Sequence, residues 1–327
     1  MEFSLAVQNN GVGASAESMD ASAEVATRFG WRTVWLADHL IVSRGGGPRA
    51  DAWFAQYNVH EHEWIFEALL SAMYLGARHE KVRIGLGVVV PPMRDAPQLA
   101  KELATLDSLT GGRLIVGVGV GDEEDYGEYQ NLGKADRFHV RGAYLDETIA
   151  LFRHLWSGRT DPFEGRFHQL HDFIFQPPPP QGTDLPIWSS GRSARALARI
   201  GVNTDGYLGA RWAPAQFHEQ WPAVLERARR NGRPRPYLAM RVRIRTDEAP
   251  DEIFSLCGPA ASMVAGLLDY EAAGADELVV VLDAVRADDI VRDAGRFQAE
   301  VVEPYLEASA KRRAATPGAP AAARAHG

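Results

Sequence analysis

A histidine directly after an apolar run is the first residue of this chain that could do chemistry. The pair Asp38-His39 follows residues 33–37, a run typical of a strand that is buried on both faces. A histidine can exchange a proton near neutral pH, and a neighbouring carboxylate can set its tautomer or its charge. We identify His39 and Asp38 as candidate catalytic residues. The alternative is that Asp38 caps the following segment and that His39 only packs.

A glycine inside the next apolar run marks a second candidate position. Gly87 interrupts the β-branched residues 82–90, and a glycine there indicates a bulge or the close approach of something flat. From the residues alone, a plain β-bulge is the favoured interpretation. Gly87, Val88 and Val90 are the candidate cofactor contacts of this run.

Glycines alternate in the run that follows, at Gly117, Gly119 and Gly121. They do not have the spacing or the helix start of a dinucleotide-binding fingerprint, so we reject that interpretation. Small residues on one face would instead let a planar ligand approach the backbone, which makes Gly119 and Gly121 candidate cofactor contacts. Four acids come next, and we interpret residues 123–125 as a solvated loop.

Small polar residues follow the fifth apolar run. They form a turn before a helix predicted over residues 194–200. Backbone N–H groups and the helix dipole converge at such a turn, so it predicts an anion site. The alternative is that Ser193 only caps its helix. The candidate contacts are Ser189, Ser190, Gly191 and Arg192.

Eight apolar runs separated by helical patterns would position these residues. The runs are residues 3–8, 33–37, 82–90, 114–120, 186–190, 206–209, 237–245 and 277–282. Their alternation with helices predicts a single (β/α)₈ TIM barrel with long insertion loops, in which ligands sit at the carboxyl ends of the strands. The alternative is an open doubly wound sheet.

The barrel is expected to span residues 1–308, and the Ala-, Pro- and Arg-rich residues 309–327 are predicted to be a disordered tail. Two insertions, residues 41–63 and 161–184, have the length of lids or binding segments. The first contains His60-Glu61-His62-Glu63. Its spacing does not bring two ligands together on a helix, so we expect no metal there.

Composition limits the partners. A formal net charge of -8 over 327 residues argues against nucleic acid or an anionic membrane as the main partner. Cys257 is the single cysteine, which excludes an internal disulfide and suits a reducing compartment. With no apolar run of about 20 residues, we expect a cytoplasmic protein.

In their order along the chain, these motifs resemble the luciferase-like monooxygenase family, in particular its branch that depends on the deazaflavin coenzyme F420. The resemblance covers residues 2 to about 306 and includes Glu67-Ala68-Leu69 before the third run and residues 273–278. It implies a TIM barrel with the cofactor at the carboxyl face, and a homodimer.

The resemblance also implies roles for single residues. It places His39 beside the reactive face of the isoalloxazine or deazaflavin ring, and it places a non-prolyl cis peptide at Gly87-Val88 against that ring. The turn that contains Ser190, where the family usually has a glycine, would bind the cofactor phosphate. A related sugar-phosphate dehydrogenase branch has a carboxylate that matches Asp122 and serves as a general acid, so Asp122 is a third candidate catalytic residue.

The resulting prediction is an oxidoreductase that transfers a hydride between coenzyme F420 and a small organic substrate. The alternatives are an FMN-dependent luciferase-like monooxygenase, a catalytically silent flavin-binding barrel subunit, and a cofactor-free barrel lyase or isomerase. Arg44, Arg49, Arg192 and Arg195 could contact the anionic oligoglutamate tail of F420, although surface solvation explains each of them equally well. A lysine clamp for a sugar phosphate is poorly supported, because the chain has few lysines.

Overall fold

Eight parallel strands close into a barrel in the computed structural model, which describes residues 1–11, 13–41, 64–245 and 255–315. Each strand pairs with the next along the chain, and the last pairs with the first. The predicted (β/α)₈ barrel is therefore confirmed, and the open doubly wound sheet is excluded. The strands are β1 (Glu2–Ala6), β2 (Thr33–Leu36), β3 (Arg83–Val89), β4 (Leu114–Val118), β5 (Ile187–Ser189), β6 (Gly206–Ala210), β7 (Tyr237–Ile244) and β8 (Glu277–Val281).

Helices cover the outside of the barrel, and the main apolar core lies between them and the outward-facing strand residues. Within the described part of the chain, no helix is both long and apolar enough to cross a bilayer. The helices are α1 (Ala16–Phe29), α2 (Ala68–Arg78), α3 (Ala96–Leu109), α4 (Tyr126–Asn131), α5 (Arg141–Trp156), α6 (Ala194–Arg199), α7 (Pro214–Arg230), α8 (Ala260–Ala272), α9 (Ala287–Phe297) and α10 (Glu303–Ala315).

Aromatic rings fill the inside of the barrel. The ring centroids of Trp35 and Trp188 lie 5.1 Å apart, and Tyr237 stacks on Trp188 at 5.0 Å. These residues belong to an interior cluster that is separate from the outer core. Because side chains occupy the interior, a ligand has room only above them, at the carboxyl ends of the strands.

The second long insertion folds back onto the barrel wall. It contains a two-stranded hairpin, Phe163–Glu164 with Gln169–Leu170. The carboxylate of Glu147, on α5, accepts the backbone N–H groups of Arg166, Phe167 and His168 at 2.7 to 2.9 Å. The hairpin is thereby fixed on α5. From residue 42 onward the first insertion, including Arg44, Arg49 and the run 60–63, lies outside the described residues.

The chain remains helical beyond the predicted start of the tail. Helix α10 continues to Ala315, into the segment 309–327 that we expect to be disordered. Ser309 Oγ and Arg313 Nη2 donate to Glu271 Oε1, on α8, at 2.9 and 2.5 Å. These bonds hold α10 against α8, which explains why residues 309–315 are helical and not disordered as predicted. Residues 316–327 lie outside the described part of the chain.

A buried acid lies at the start of β8, at the amino-terminal end of the barrel. Glu277 is fully buried, and its carboxylate accepts the indole N–H of Trp35 at 3.1 Å and the hydroxyl of Tyr237 at 3.2 Å. Burial raises the pKa of Glu277, although hydrogen bonds from Ser4 and Trp35 and the charge of Arg32 act in the opposite direction. The folded state therefore favours the neutral acid.

We expect Glu277→Gln to gain stability relative to the unsubstituted chain as the pH rises. An unfolded glutamate ionises near about pH 4.3, whereas the folded chain keeps this proton to higher pH. The stabilisation is therefore complete below the unfolded pKa and is lost as the pH rises through the folded pKa. Urea unfolding from about pH 4 to about pH 8 measures the difference. The exposed control Glu307→Gln should follow the unsubstituted chain; a pH-independent difference for Glu277→Gln would contradict the assignment.

Candidate active site

A buried carboxylate fixes the ring of His39, which directly follows the end of β2. The Nδ1 atom of His39 lies 2.9 Å from Oε2 of Glu128, on α4. The other oxygen, Oε1, accepts the backbone N–H groups of Leu40 at 2.6 Å and Ile41 at 3.0 Å. Glu128 is 2% exposed. One carboxylate thus orients the ring and holds the backbone that follows it.

The contact between His39 and Glu128 favours the charged form of each of these two residues. Burial lowers the pKa of His39, but the hydrogen bond and charge of Glu128, with the charges of Asp125 and Asp38, raise it above its ordinary value. Burial raises the pKa of Glu128, but the bond and charge of His39 and two backbone N–H groups lower it overall. These contacts therefore favour an imidazolium, which can donate a proton.

Asp38 binds an arginine. The carboxylate that sets the orientation and charge of His39 is Glu128, whereas the sequence suggested Asp38. Oδ1 of Asp38 accepts from Arg94 Nη2 at 2.6 Å, and its Oδ2 accepts the backbone N–H of Val90 at 3.4 Å. Arg94 Nη2 also donates to Glu67 Oε1 at 2.8 Å. Burial raises the pKa of Asp38, against the charge of Arg94. A carboxylate this deeply buried needs a counter-charge, and it ties the ends of β2 and β3 together.

The second acid beside His39 is Asp125, whereas the sequence suggested Asp122. The side chains of His39, Asp125 and Glu128 each bring one nitrogen or oxygen within 4.8 Å of the others. Asp122 is exposed, and its backbone N–H donates to Asp125 Oδ2 at 2.7 Å. The solvated-loop prediction holds for Glu123, whose side chain is 78% exposed. It is wrong for Asp125, where burial raises the pKa of the carboxyl group.

These three side chains have the donor types of a metal site. Hydrogen bonds already use both oxygens of Glu128, which accepts from the His39 ring and two backbone N–H groups, and one oxygen of Asp125, which accepts from Asp122. A metal would have to displace these bonds. We therefore assign proton chemistry to the cluster.

The backbone of β3 is irregular where the sequence marks it. The peptide between Gly87 and Val88 is cis, and the register with β4 shifts between Leu86 and Val89. The resemblance implies the cis peptide, whereas the residues alone favour a plain β-bulge. The residues alone therefore indicate where the strand is irregular but not that the peptide is cis.

Val90 does not present its side chain to this site. It packs in a separate cluster with Met93, Tyr129 and Phe138. Only its backbone N–H reaches the site, through the bond to Asp38. The predicted cofactor contact at Val90 is therefore corrected to a packing role.

The alternating glycines after β4 make room for the protein's own atoms. A Cβ on Gly119 would lie 2.6 Å from Cγ2 of Val88, and a Cβ on Gly121 would lie 2.7 Å from Oδ2 of Asp125. Gly121 also has a φ of 71°, which favours glycine. The space that we expected for a planar ligand at these two positions is filled by Val88 and Asp125.

Ser190 and Ser193, in the turn after β5, bond within the protein, whereas the buried hydroxyl of Ser189 has no hydrogen-bond partner among the described residues. Ser190 donates its hydroxyl proton to the carbonyl of Leu208 at 2.8 Å, so that proton is not directed at a phosphate. Ser193 accepts the N–H of Ala196 at 3.2 Å, which is the capping alternative. Ser189, 1% exposed, faces the outer layer by the alternation of the strand. The anion site predicted here is thus reduced to the two residues between these serines.

Gly191 and Arg192 remain the candidate cofactor contacts of this turn. Gly191 has a φ of 108°, and its carbonyl accepts the hydroxyl of Tyr207 at 2.9 Å. The indole N–H of Trp212 donates to the same hydroxyl at 2.7 Å. The guanidinium of Arg192 lies 4.9 Å from the centroid of the Trp212 ring. An exposed cation therefore stands beside a turn that is held in place by two aromatic residues.

Comparison with known proteins gives a family and a fold. The family model described as luciferase-like monooxygenase matches residues 1–274. Among solved structures, an F420-dependent secondary alcohol dehydrogenase in complex with an F420-acetone adduct is similar, with a TM-score of 0.73 and 18% identity over 90% of this chain and 97% of that one. At this identity the similarity concerns the fold.

Among curated proteins, the F420-dependent glucose-6-phosphate dehydrogenase of Microbacterium testaceum (strain StLB037) is 27% identical, over 69% of this chain and 63% of the relative. The enzyme of the same name from Nocardia farcinica (strain IFM 10152) is 27% identical, over 88% of this chain and 83% of the relative. The matched regions thus span from less than two thirds to more than four fifths of these relatives.

Removal of the Arg94 cation should destabilise the fold strongly. We expect Arg94→Met to lower the free energy of unfolding by about 3 to 5 kcal/mol, because it leaves Asp38 buried without its counter-charge. Adding Asp38→Asn should recover part of this loss, since a neutral amide no longer needs the cation. Urea unfolding of the four proteins in the double-mutant cycle measures the coupling. Simple additivity of the two losses would contradict the pairing.

Proposed function

The chain belongs to the luciferase-like monooxygenase family, and we propose that it is an oxidoreductase that transfers a hydride between coenzyme F420 and a small organic substrate. The observation that carries this proposal is the His39–Glu128 pair at the carboxyl end of β2, at 2.9 Å. A fixed imidazolium at this end of a barrel can exchange a proton with a substrate oxygen. The names of the curated relatives support F420 as the cofactor.

The residues at the carboxyl face suit a flat cofactor with an anionic tail. The interior cluster below is apolar and aromatic, with Val88 packed against it, and it offers a surface for a ring. Gly191 leaves its backbone uncovered by a side chain, and the exposed Arg192 supplies a cation. We assign Gly87 and Val88 to the ring, and Gly191 and Arg192 to the phosphate and the tail.

The protein's own residues would handle the proton that accompanies the hydride. Bound F420 supplies or accepts a hydride, because it carries carbon where flavin carries its reactive nitrogen. As an imidazolium, His39 gives a proton to the substrate oxygen when a carbonyl is reduced. As a neutral ring, it takes the hydroxyl proton when an alcohol is oxidised. Glu128 keeps the ring oriented in both directions.

Two further parts of the proposal rest on resemblance and composition. We propose that the protein is a homodimer, as the family resemblance implies. We also propose that it works in the cytoplasm, which suits its single cysteine, Cys257. The substrate carries a hydroxyl or a carbonyl group on the carbon that exchanges the hydride.

Replacing His39 should remove catalysis and leave cofactor binding intact. We expect His39→Ala to lower kcat by about 10² to 10⁴-fold, the usual contribution of a general acid or base. Steady-state turnover and fluorescence titration of F420 measure the two effects separately. The exposed control His218→Ala, on α7, should match the unsubstituted chain. Unchanged kcat in His39→Ala would remove this residue from the mechanism, and absence of turnover in every protein would favour a silent flavin-binding barrel.

Cofactor choice should depend on charge. We expect F420 to bind more tightly than FMN and to lose more affinity as salt rises, because salt screens the attraction between an exposed arginine and its anionic tail. Separate titrations of F420 and FMN at low and high salt measure this. Arg192→Ala should flatten the salt dependence for F420, whereas Arg230→Ala, at the far end of α7, should not. Tighter FMN binding at both salts, with oxygen consumed during turnover, would indicate a monooxygenase.

A further inference from the structure

A second carboxylate faces the histidine and has no part in the proposed function as derived so far. We propose that Asp125 is a positioning residue for His39: its negative charge, added to that of Glu128, holds the imidazolium that donates the proton. The exposed Asp122 does not share this role. The inference rests on the proposed function, because it concerns the same histidine.

The structure around Asp125 holds its carboxylate in one place. Asp125 ends a short 3₁₀ turn, Glu123–Asp125, and its Oδ2 accepts the N–H of Asp122 at 2.7 Å. A Cβ on Gly121 would lie only 2.7 Å from that same oxygen. The glycine, the turn and the hydrogen bond together place this carboxylate beside the ring.

Glu128 alone does not account for the charge around His39. It makes the direct bond at 2.9 Å, and its second oxygen accepts two backbone N–H groups. Asp125 adds a carboxylate whose oxygen lies within 4.8 Å of the other two groups. At such a distance the charge of Asp125 raises the pKa of His39, and the charge of His39 in turn acts against the burial that raises the pKa of Asp125. The imidazolium therefore faces two anions from one side of the barrel mouth.

The remaining charged groups near the ring do not replace Asp125. Arg94 offsets the charge of Asp38 at 2.6 Å while also binding Glu67 at 2.8 Å. Among the ion pairs of residues 1–11, 13–41, 64–245 and 255–315, none joins Asp125 to an arginine or a lysine. Arg241, on β7, donates to the carbonyl of Gly87 at 3.3 Å.

The consequence concerns the recovery of His39 after each turnover. When the ring has given its proton to a substrate oxygen, the neutral imidazole is left beside two carboxylates. This excess of negative charge favours the uptake of a new proton from water. Asp125 is only half-buried and Glu128 is fully buried, so Asp125 lies on the solvent side of the pair.

The test is the protonation of His39 in the full-length protein without cofactor. NMR titration of the imidazole, assigned from the signal missing in His39→Gln, gives its pKa directly. We expect Asp125→Asn to lower that pKa by about 1 unit, because the amide oxygen can still accept the Asp122 N–H while the charge is gone. Asp122→Asn should leave the pKa unchanged, Glu128→Gln should lower it, and Asp125→Glu should restore it. If Asp125→Asn does not fold, Asp125→Ser removes the same charge and keeps an acceptor.

The pH profile of kcat for carbonyl reduction gives the second readout. The rate should fall on the alkaline side as His39 loses its proton, and Asp125→Asn should move that fall to lower pH by the same shift as the NMR pKa. An unchanged His39 pKa in Asp125→Asn, or an equal shift in Asp122→Asn, would overturn the proposal. The NMR result does not need turnover, so a failure of F420-dependent activity is distinguishable from a failure of this inference.

Discussion

The candidate site depends on the carboxylate of Glu128. It fixes a ring nitrogen of His39 through one oxygen and the backbone of Leu40 and Ile41 through the other. Both interactions are buried, so water does not screen them as it would at the surface. The ring of His39, at the end of a strand, is oriented because this acid reaches it from the helix that follows the fourth strand, and the proposed proton transfer depends on that orientation.

Buried charges organise the mouth of the barrel, and they do so at an energetic cost. Asp38, Arg94 and Glu67 join the ends of two strands to the start of α2. Such groups often contribute little net stability, because the desolvation of each charge offsets the attraction. Their effect is geometric: the segments after β2 and β3 keep one spacing, and His39 keeps one position relative to the peptide at Gly87.

The sequence predicts the barrel well, because each strand is an apolar run between helical patterns. Parallel strands that are buried on both faces are recognisable from such runs alone. The sequence points to candidate residues at the carboxyl ends of strands, of which 38–39, 87–88 and 191–192 remain candidates in the structure, whereas Ser189 and Ser190 do not. It fails where contacts are distant in sequence. The sequence does not identify Glu128, because this residue lies on a short helix after an acidic run that is typical of a solvated loop. The glycine alternation was misassigned because a period of two does not reveal which atoms fill the space.

One property of the anchor at Glu128 bears on how this site can change over generations. The carboxylate holds the two residues after His39 by their amide groups, and an amide is the same in every amino acid except proline. Substitutions at Leu40 and Ile41 can therefore accumulate without loosening the histidine. The position of the histidine ring is thus independent of the side chains at these two positions, which can change what the mouth of the barrel admits without moving the ring.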